Sequence, residues 1–193
     1  APLTRPMMRQ LTAVAAQTPA DAERLAAIGA EYVHSFGNIK FDVEPAPEKI
    51  ALGKRWREAI GARAVYLAAS TREGEEPAIV DAFLRLLPPS SLLVLVPRHP
   101  QRFDEVAAIV AERGAAYRRR SSDRLPAADS RLWLGDSMGE MPAYFTLADL
   151  ALIGGTLLPF GGQNLIEAAA CGCPVLVGPH TYNFAPATQD ALP

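Results

Sequence analysis

Short apolar runs alternate with helically spaced segments along most of the chain. The runs at 11–16, 31–35, 64–69, 92–96, 115–118, 131–134, 150–153 and 174–177 predict strands. The central ones, such as LLVLV at 92–96, are apolar on both faces rather than alternating, which fits strands buried on both sides. Between them, spacing near 3.6 residues predicts helices over 18–28, 48–60, 75–87, 103–113, 141–148 and 165–171. Thr18 is a good N-cap with Pro19 at the first helical position, and Gly29 is a good stop. Pro88-Pro89 and Gly114 end two later helices. This alternation predicts an α/β fold, a Rossmann-like parallel sheet with helices on both faces. The polar, proline-bearing stretch Glu44-Pro45-Ala46-Pro47 reads as a connector. Residues 1–36 are therefore expected to form a strand–helix–strand unit, 37–47 a linker and 48–193 a second domain.

In an open parallel sheet, ligands bind beyond the carboxyl ends of the strands. The residues just past each predicted strand are therefore the ones to inspect. After Ala69 come Ser70 and Thr71; after Val96, Pro97-Arg98-His99; after Leu134, the stretch from Gly135 to Glu140. After Ile153 come two glycine pairs, Gly154-Gly155 and Gly161-Gly162, then Gln163 and Asn164; after Val177, Gly178-Pro179-His180. Hydroxyls, an arginine, glycines and an acid converge on one edge, which suits a phosphate and a sugar. Glycines let backbone approach a ligand closely. A helix start at 164–165 would aim free N–H groups at an anion. Arg98 has the fork geometry for phosphate. Glu167 has two readings, a capping box with Asn164 or an acceptor for ribose hydroxyls. Ser70 and Thr71 either cap the next turn or touch phosphate. His99 and His180 read as donors in turns, Arg118-Arg119-Arg120 as a solvated loop, and Trp56 and Trp133 as core.

Composition adds exclusions. The chain has 193 residues, 49% of them hydrophobic, and a net charge of −2, so bulk electrostatic binding to nucleic acid is not indicated. No apolar run approaches the ~18 residues of a membrane span, and the piece itself is expected to be soluble. Cys171 and Cys173 lie too close in sequence to pair easily, which fits a reducing compartment. No Walker A segment, no G-x-G-x-x-G after the first strand and no metal-ligand spacing occurs. Both ends read as cut, so a piece of a longer protein is expected.

GNIKFD (37–42), ASTREGEE (69–76), PRHPQRF (97–103), DSMGEM (136–141) and the long segment 148–184 resemble the bacterial 3-deoxy-D-manno-octulosonic acid (Kdo) transferases, in order and spacing. The resemblance implies a metal-independent, inverting glycosyltransferase of two Rossmann-like domains (GT-B type), with no cofactor beyond the substrate CMP-Kdo. Such enzymes transfer Kdo to the lipid A precursor in lipopolysaccharide biosynthesis, at the cytoplasmic face of the inner membrane. Residues 1–36 would end the N-terminal domain, and 48–193 would be the donor-binding domain, truncated at its C-terminus. No catalytic residue is expected here, because the family's base, acceptor surface and membrane anchor lie in the N-terminal half. The donor pattern falls on Arg98, Met138, Gly139, Glu140, Gly162, Asn164 and Glu167, and more weakly on Ser70 and Thr71. Gln163 and Arg72 replace usual histidines. A UDP- or GDP-sugar transferase of the same architecture, and a non-catalytic sugar-nucleotide-binding module, remain as alternatives.

Overall fold

A computed structural model describes residues 3–37 and 44–191. The linker stretch 38–43 lies outside the described residues. Contacts divide the chain into two compact units, Ala1–Val43 and Glu44–Pro193.

The first unit contains α1 (Thr4–Met8), β1 (Val14–Ala16), α2 (Pro19–Ala27) and β2 (Val33–Ser35). β1 and β2 pair in parallel, joined by α2. Thr18 caps α2 by accepting the Asp21 N–H at 3.1 Å. The expected strand at 11–16 is shorter because Leu11 is exposed and α1 runs close before it. Nothing in the spacing of residues 4–8 marked α1 in advance.

The second unit contains α3 (Pro47–Ile60), β3 (Val65–Thr71), α4 (Glu75–Leu86), β4 (Leu92–Pro97), α5 (Phe103–Glu112), β5 (Tyr117–Arg119) and β6 (Leu132–Leu134). It continues with α6 (Met141–Leu147), β7 (Leu150–Ile153), α7 (Ile166–Ala170), β8 (Val175–Leu176) and α8 (Ala185–Ala191). The six strands are all parallel, in the order β5-β6-β4-β3-β7-β8. The sheet thus runs one way from β3 through β4 and the other way through β7.

Alternate residues of the central strands feed two cores. Val65, Leu67, Val94 and Ile153 pack against α3, α6 and α7, while Ala68, Leu93 and Leu95 pack against α4 and α5. On the first face, Trp56, Trp133 and Tyr144 form a ring cluster with centroids 5.0–5.8 Å apart. Both tryptophans are core, as expected. Aromatic pairs in these tilted geometries add about 0.5–1.5 kcal/mol each beyond burial.

Polar anchoring of this unit rests on arginine. Glu76 is fully buried and pairs with Arg102 at 2.7 and 3.1 Å, while the Thr71 hydroxyl donates to it at 2.8 Å. The arginine run, expected as a solvated loop, is instead half-buried, and Arg119 and Arg120 are paired. Arg119 donates to Asp136 and Asp104, and Arg120 grips both oxygens of Glu140. Burial alone would raise the Asp136 pKa, but hydrogen bonds from Ser121 and Arg119 outweigh it and hold the carboxyl below its ordinary range.

Candidate functional site

The ends of β3 and β7 leave the sheet side by side while their following helices, α4 and α7, pack on opposite faces. That divergence is the switch point at which a parallel sheet opens a crevice. A hollow of about 350 Å³ lies there, lined by Ser70, Arg98, Gln163, Asn164 and Glu167, with Ala69, Met141, Phe145, Ile153 and Phe184 as its apolar wall.

Local backbone explains how Ser70 arrives. β3 carries an irregularity between Ala69 and Thr71, and Ser70 sits there with φ of 56°. A non-glycine residue in the left-handed region costs about 1–3 kcal/mol and is held only by its surroundings. Gly154, at the end of β7, supplies the room. A Cβ there would meet the Ser70 carbonyl carbon at 2.6 Å, so only glycine lets the two strand ends pass.

Arg98 follows β4 directly, and its backbone N–H donates to the Thr71 carbonyl at 3.0 Å. Its Nε donates to Gln163 Oε1 at 3.2 Å, and its terminal nitrogens have no partner among the described residues. Asn164 stands one residue before the helix cap position, not on it. Its Oδ1 accepts the Ile166 N–H at 3.1 Å, and its Nδ2 group has no partner among the described residues. α7 has only five residues, so its dipole is a small fraction of the one expected from a longer helix. Charge complementarity toward an anion therefore rests on Arg98 and the side-chain amides.

Glu167 is half-buried, and its carboxylate makes no hydrogen bond or ion pair among the described residues. The capping-box reading is thus corrected: no bond back to residue 164 forms. Burial without a partner pushes its pKa above the ordinary carboxylate value. The hollow accordingly presents a cationic fork, a hydroxyl and an amide donor near Ser70, Arg98 and Asn164, and a carboxylate acceptor at Glu167. That set suits an anion joined to a polyol.

The other sequence candidates lie elsewhere. Thr71 is 0% exposed with its hydroxyl committed to Glu76, so it does not reach the hollow. Gly162 is buried and does not line the hollow; its N–H donates to the Gly155 carbonyl at 2.8 Å. Met138 is 59% exposed and Gly139, at φ of 72°, turns the loop before Met141 enters the apolar wall. Glu140 is taken by Arg120 and by the Ser137 hydroxyl at 2.6 Å, so it braces this loop from below. The side chains of His99 and His180 make no hydrogen bond among the described residues, contrary to their reading as turn donors; His180 contributes only its backbone N–H, to Thr156. Sequence reasoning missed Gln163 as the residue that orients Arg98, and missed the wall of Phe145 and Phe184. Phe145 lies on α6 and Phe184 just before α8, and an apolar residue gives no sign of which end of a sheet it will face.

The second unit is thus a Rossmann-like α/β domain with a polar-lined crevice at its switch point. Comparison with known proteins narrows this. Residues 1–43 match the family model described as 3-deoxy-D-manno-octulosonic-acid transferase (kdotransferase). The chain is 45% identical over 194 residues, 97% of its length, to the 3-deoxy-D-manno-octulosonic acid transferase of Bordetella pertussis. It is 37% identical over 186 residues, 92% of its length, to that of Haemophilus influenzae. These alignments take in 45% and 43% of the two relatives, so the chain spans less than half their length. Among solved structures, the C-terminal CMP-Kdo binding domain of WaaA from Acinetobacter baumannii superimposes with a TM-score of 0.72 at 31% identity, covering 75% of this chain and 78% of that one. The chain belongs to the Kdo transferase family. No helix among the described residues is long and apolar enough to cross a membrane.

Proposed function

We propose that the second unit binds the CMP moiety of CMP-Kdo in the hollow at the β3–β7 switch point. The chain in this reading is part of a GT-B glycosyltransferase of lipopolysaccharide biosynthesis that transfers Kdo to the lipid A precursor. The observation that carries it is the convergence of Ser70, Arg98, Asn164 and Glu167, at or beyond the ends of three separate strands, on one cavity. Arg98 receives the phosphate with its two uncommitted nitrogens. Glu167 accepts hydrogen bonds from the ribose hydroxyls, which would supply the partners its buried carboxylate lacks. Asn164 and Ser70 donate to the remaining phosphate oxygens. The Met138-Gly139 turn borders the cytosine end, braced by the Arg120–Glu140 pair.

Transfer then proceeds by direct displacement at the anomeric carbon with inversion. Arg98 stabilises the charge that develops on the departing CMP phosphate, so this site needs no metal for that task. A base outside these residues takes the proton of the acceptor hydroxyl. Acceptor recognition and association with the cytoplasmic face of the inner membrane are assigned to the rest of the full-length enzyme.

Thermal unfolding of the chain with CMP, UDP and GDP tests the donor assignment, because a ligand that binds the native state raises the midpoint. CMP is expected to stabilise most, and the effect is expected to vanish in Arg98→Ala. A larger shift with UDP would reject the cytidine assignment in favour of another sugar-nucleotide donor.

A further inference from the structure

We propose that Glu75 is a positioning residue of this donor site, holding in place the two loops that bring Ser70, Gln163 and Asn164 to the hollow. The inference rests on the donor-site reading above. Glu75 opens α4 and is 1% exposed, with no cation paired to it among the described residues. Its carboxylate is instead filled by backbone. One oxygen accepts the Leu157 N–H at 3.0 Å; the other accepts the Gly155 N–H at 2.7 Å and the Arg72 N–H at 2.8 Å. A buried carboxylate is tolerable only when its lone pairs are met, and here loop amides meet them.

These three amides belong to the two strand exits that frame the hollow. Arg72 lies two residues beyond Ser70, on the exit from β3; Gly155 and Leu157 lie on the exit from β7. The chain of bonds continues from there. The Gly155 carbonyl accepts from Gly162, and the Gly154 carbonyl accepts from Gln163 at 3.0 Å. Gln163 in turn accepts from Arg98. An unbroken path of hydrogen bonds and adjacent residues thus runs from the Glu75 carboxylate to the groups that meet the ligand, although Glu75 itself does not line the cavity. Glu76 next to it is equally buried, but its bonds go to Arg102 and Thr71, which do not line the hollow.

The two neighbours make a matched pair for a test. In Glu75→Gln, one oxygen becomes an NH2 group that must face a backbone N–H, so the loop shifts. Glu76→Gln disturbs Arg102 and the inward-facing Thr71 hydroxyl but leaves the Arg72, Gly155 and Leu157 amides bonded to Glu75. CMP is titrated calorimetrically into the parent chain and both variants at a temperature where near-UV circular dichroism shows each folded, and amide resonances are recorded for each. Glu75→Gln is expected to bind about 10–100-fold more weakly, the scale of displacing binding groups by about 1 Å. Its Gly155, Leu157 and Gln163 amide resonances are expected to move. Glu76→Gln is expected to keep the parent's affinity despite a lower melting temperature. Unchanged affinity in Glu75→Gln, or an equal loss in both variants, overturns the positioning role. Should the parent chain fail to bind CMP, the donor reading fails, and Glu75 is judged on the resonances alone: unmoved Gly155 and Leu157 signals overturn it, moved ones support it. If Glu75→Gln does not fold, Glu75→Asp, with both oxygens on a shorter stem, is read the same way.

Discussion

Replacing Glu167 by Gln separates a ligand-binding carboxylate from a structural one, because the two roles predict opposite signs for stability. The carboxylate is half-buried, has no partner among the described residues, and has its pKa raised by burial. Between the ordinary value of 4.5 and the raised folded value, the native state binds more protons than the unfolded chain. Stability contributed by this group therefore falls as pH rises through that window, and the desolvation penalty is present above it. The amide removes the charge and keeps the shape. Glu167→Gln is expected to stabilise the ligand-free protein by about 0.5–1 kcal/mol at pH 7, within the usual range for relieving such a site. For a unit of this size that is a rise of about 1–4 °C in melting temperature. Below pH 4 the gain is expected to disappear. CMP affinity is expected to move the other way. Losing charged hydrogen bonds to two ribose hydroxyls costs about 1.5–3 kcal/mol, or roughly 10–100-fold in Kd. Differential scanning calorimetry across pH 3–8, with calorimetric titration at pH 7, reads both quantities. A drop in melting temperature at pH 7 with unaltered CMP affinity would refute the reasoning and restore the capping role.

Three further outcomes are expected from the same geometry. Arg98→Ala is expected to leave stability within about 0.5 kcal/mol of the parent, since its side chain is exposed, while abolishing detectable CMP stabilisation; circular dichroism melts with and without CMP check both. Glu76→Gln leaves Arg102 with a weakened buried pairing and is expected to cost about 3–5 kcal/mol, measured by urea denaturation; a loss below about 1 kcal/mol would contradict the buried-pair assignment. Cys173 is buried and its thiol is pushed up to about 11, so alkylation at pH 8 in the native state is expected to run about a hundredfold slower than for a free thiol, and rates close to the free thiol's would count against this packing.

Much of this arrangement was legible in the residue pattern. Strands such as 92–96, apolar on both faces, could only sit in the middle of a covered parallel sheet, and they do. The rule that ligands gather beyond the strand ends picked out Ser70, Arg98, Asn164 and Glu167, which share one hollow. Long-range pairing was not legible. That Glu75 reaches the glycine loop is a contact across 80 positions, invisible to any local spacing. Thr71 and Ser70 are adjacent hydroxyls, yet a backbone irregularity turns one into the core and the other to the rim. The Arg119-Arg120 pair looked solvated because nothing nearby in sequence announced Asp136 and Glu140 as partners. A short α8 also forms after Phe184, where no helix was expected.

The most direct test of the donor site is an equilibrium titration of CMP into the chain and into Arg98→Ala and Glu167→Gln. Saturable one-to-one binding by the parent, weakened in both variants with the fold intact, is what the shared hollow predicts. Parent-like binding in both variants would place the nucleotide elsewhere and contradict it.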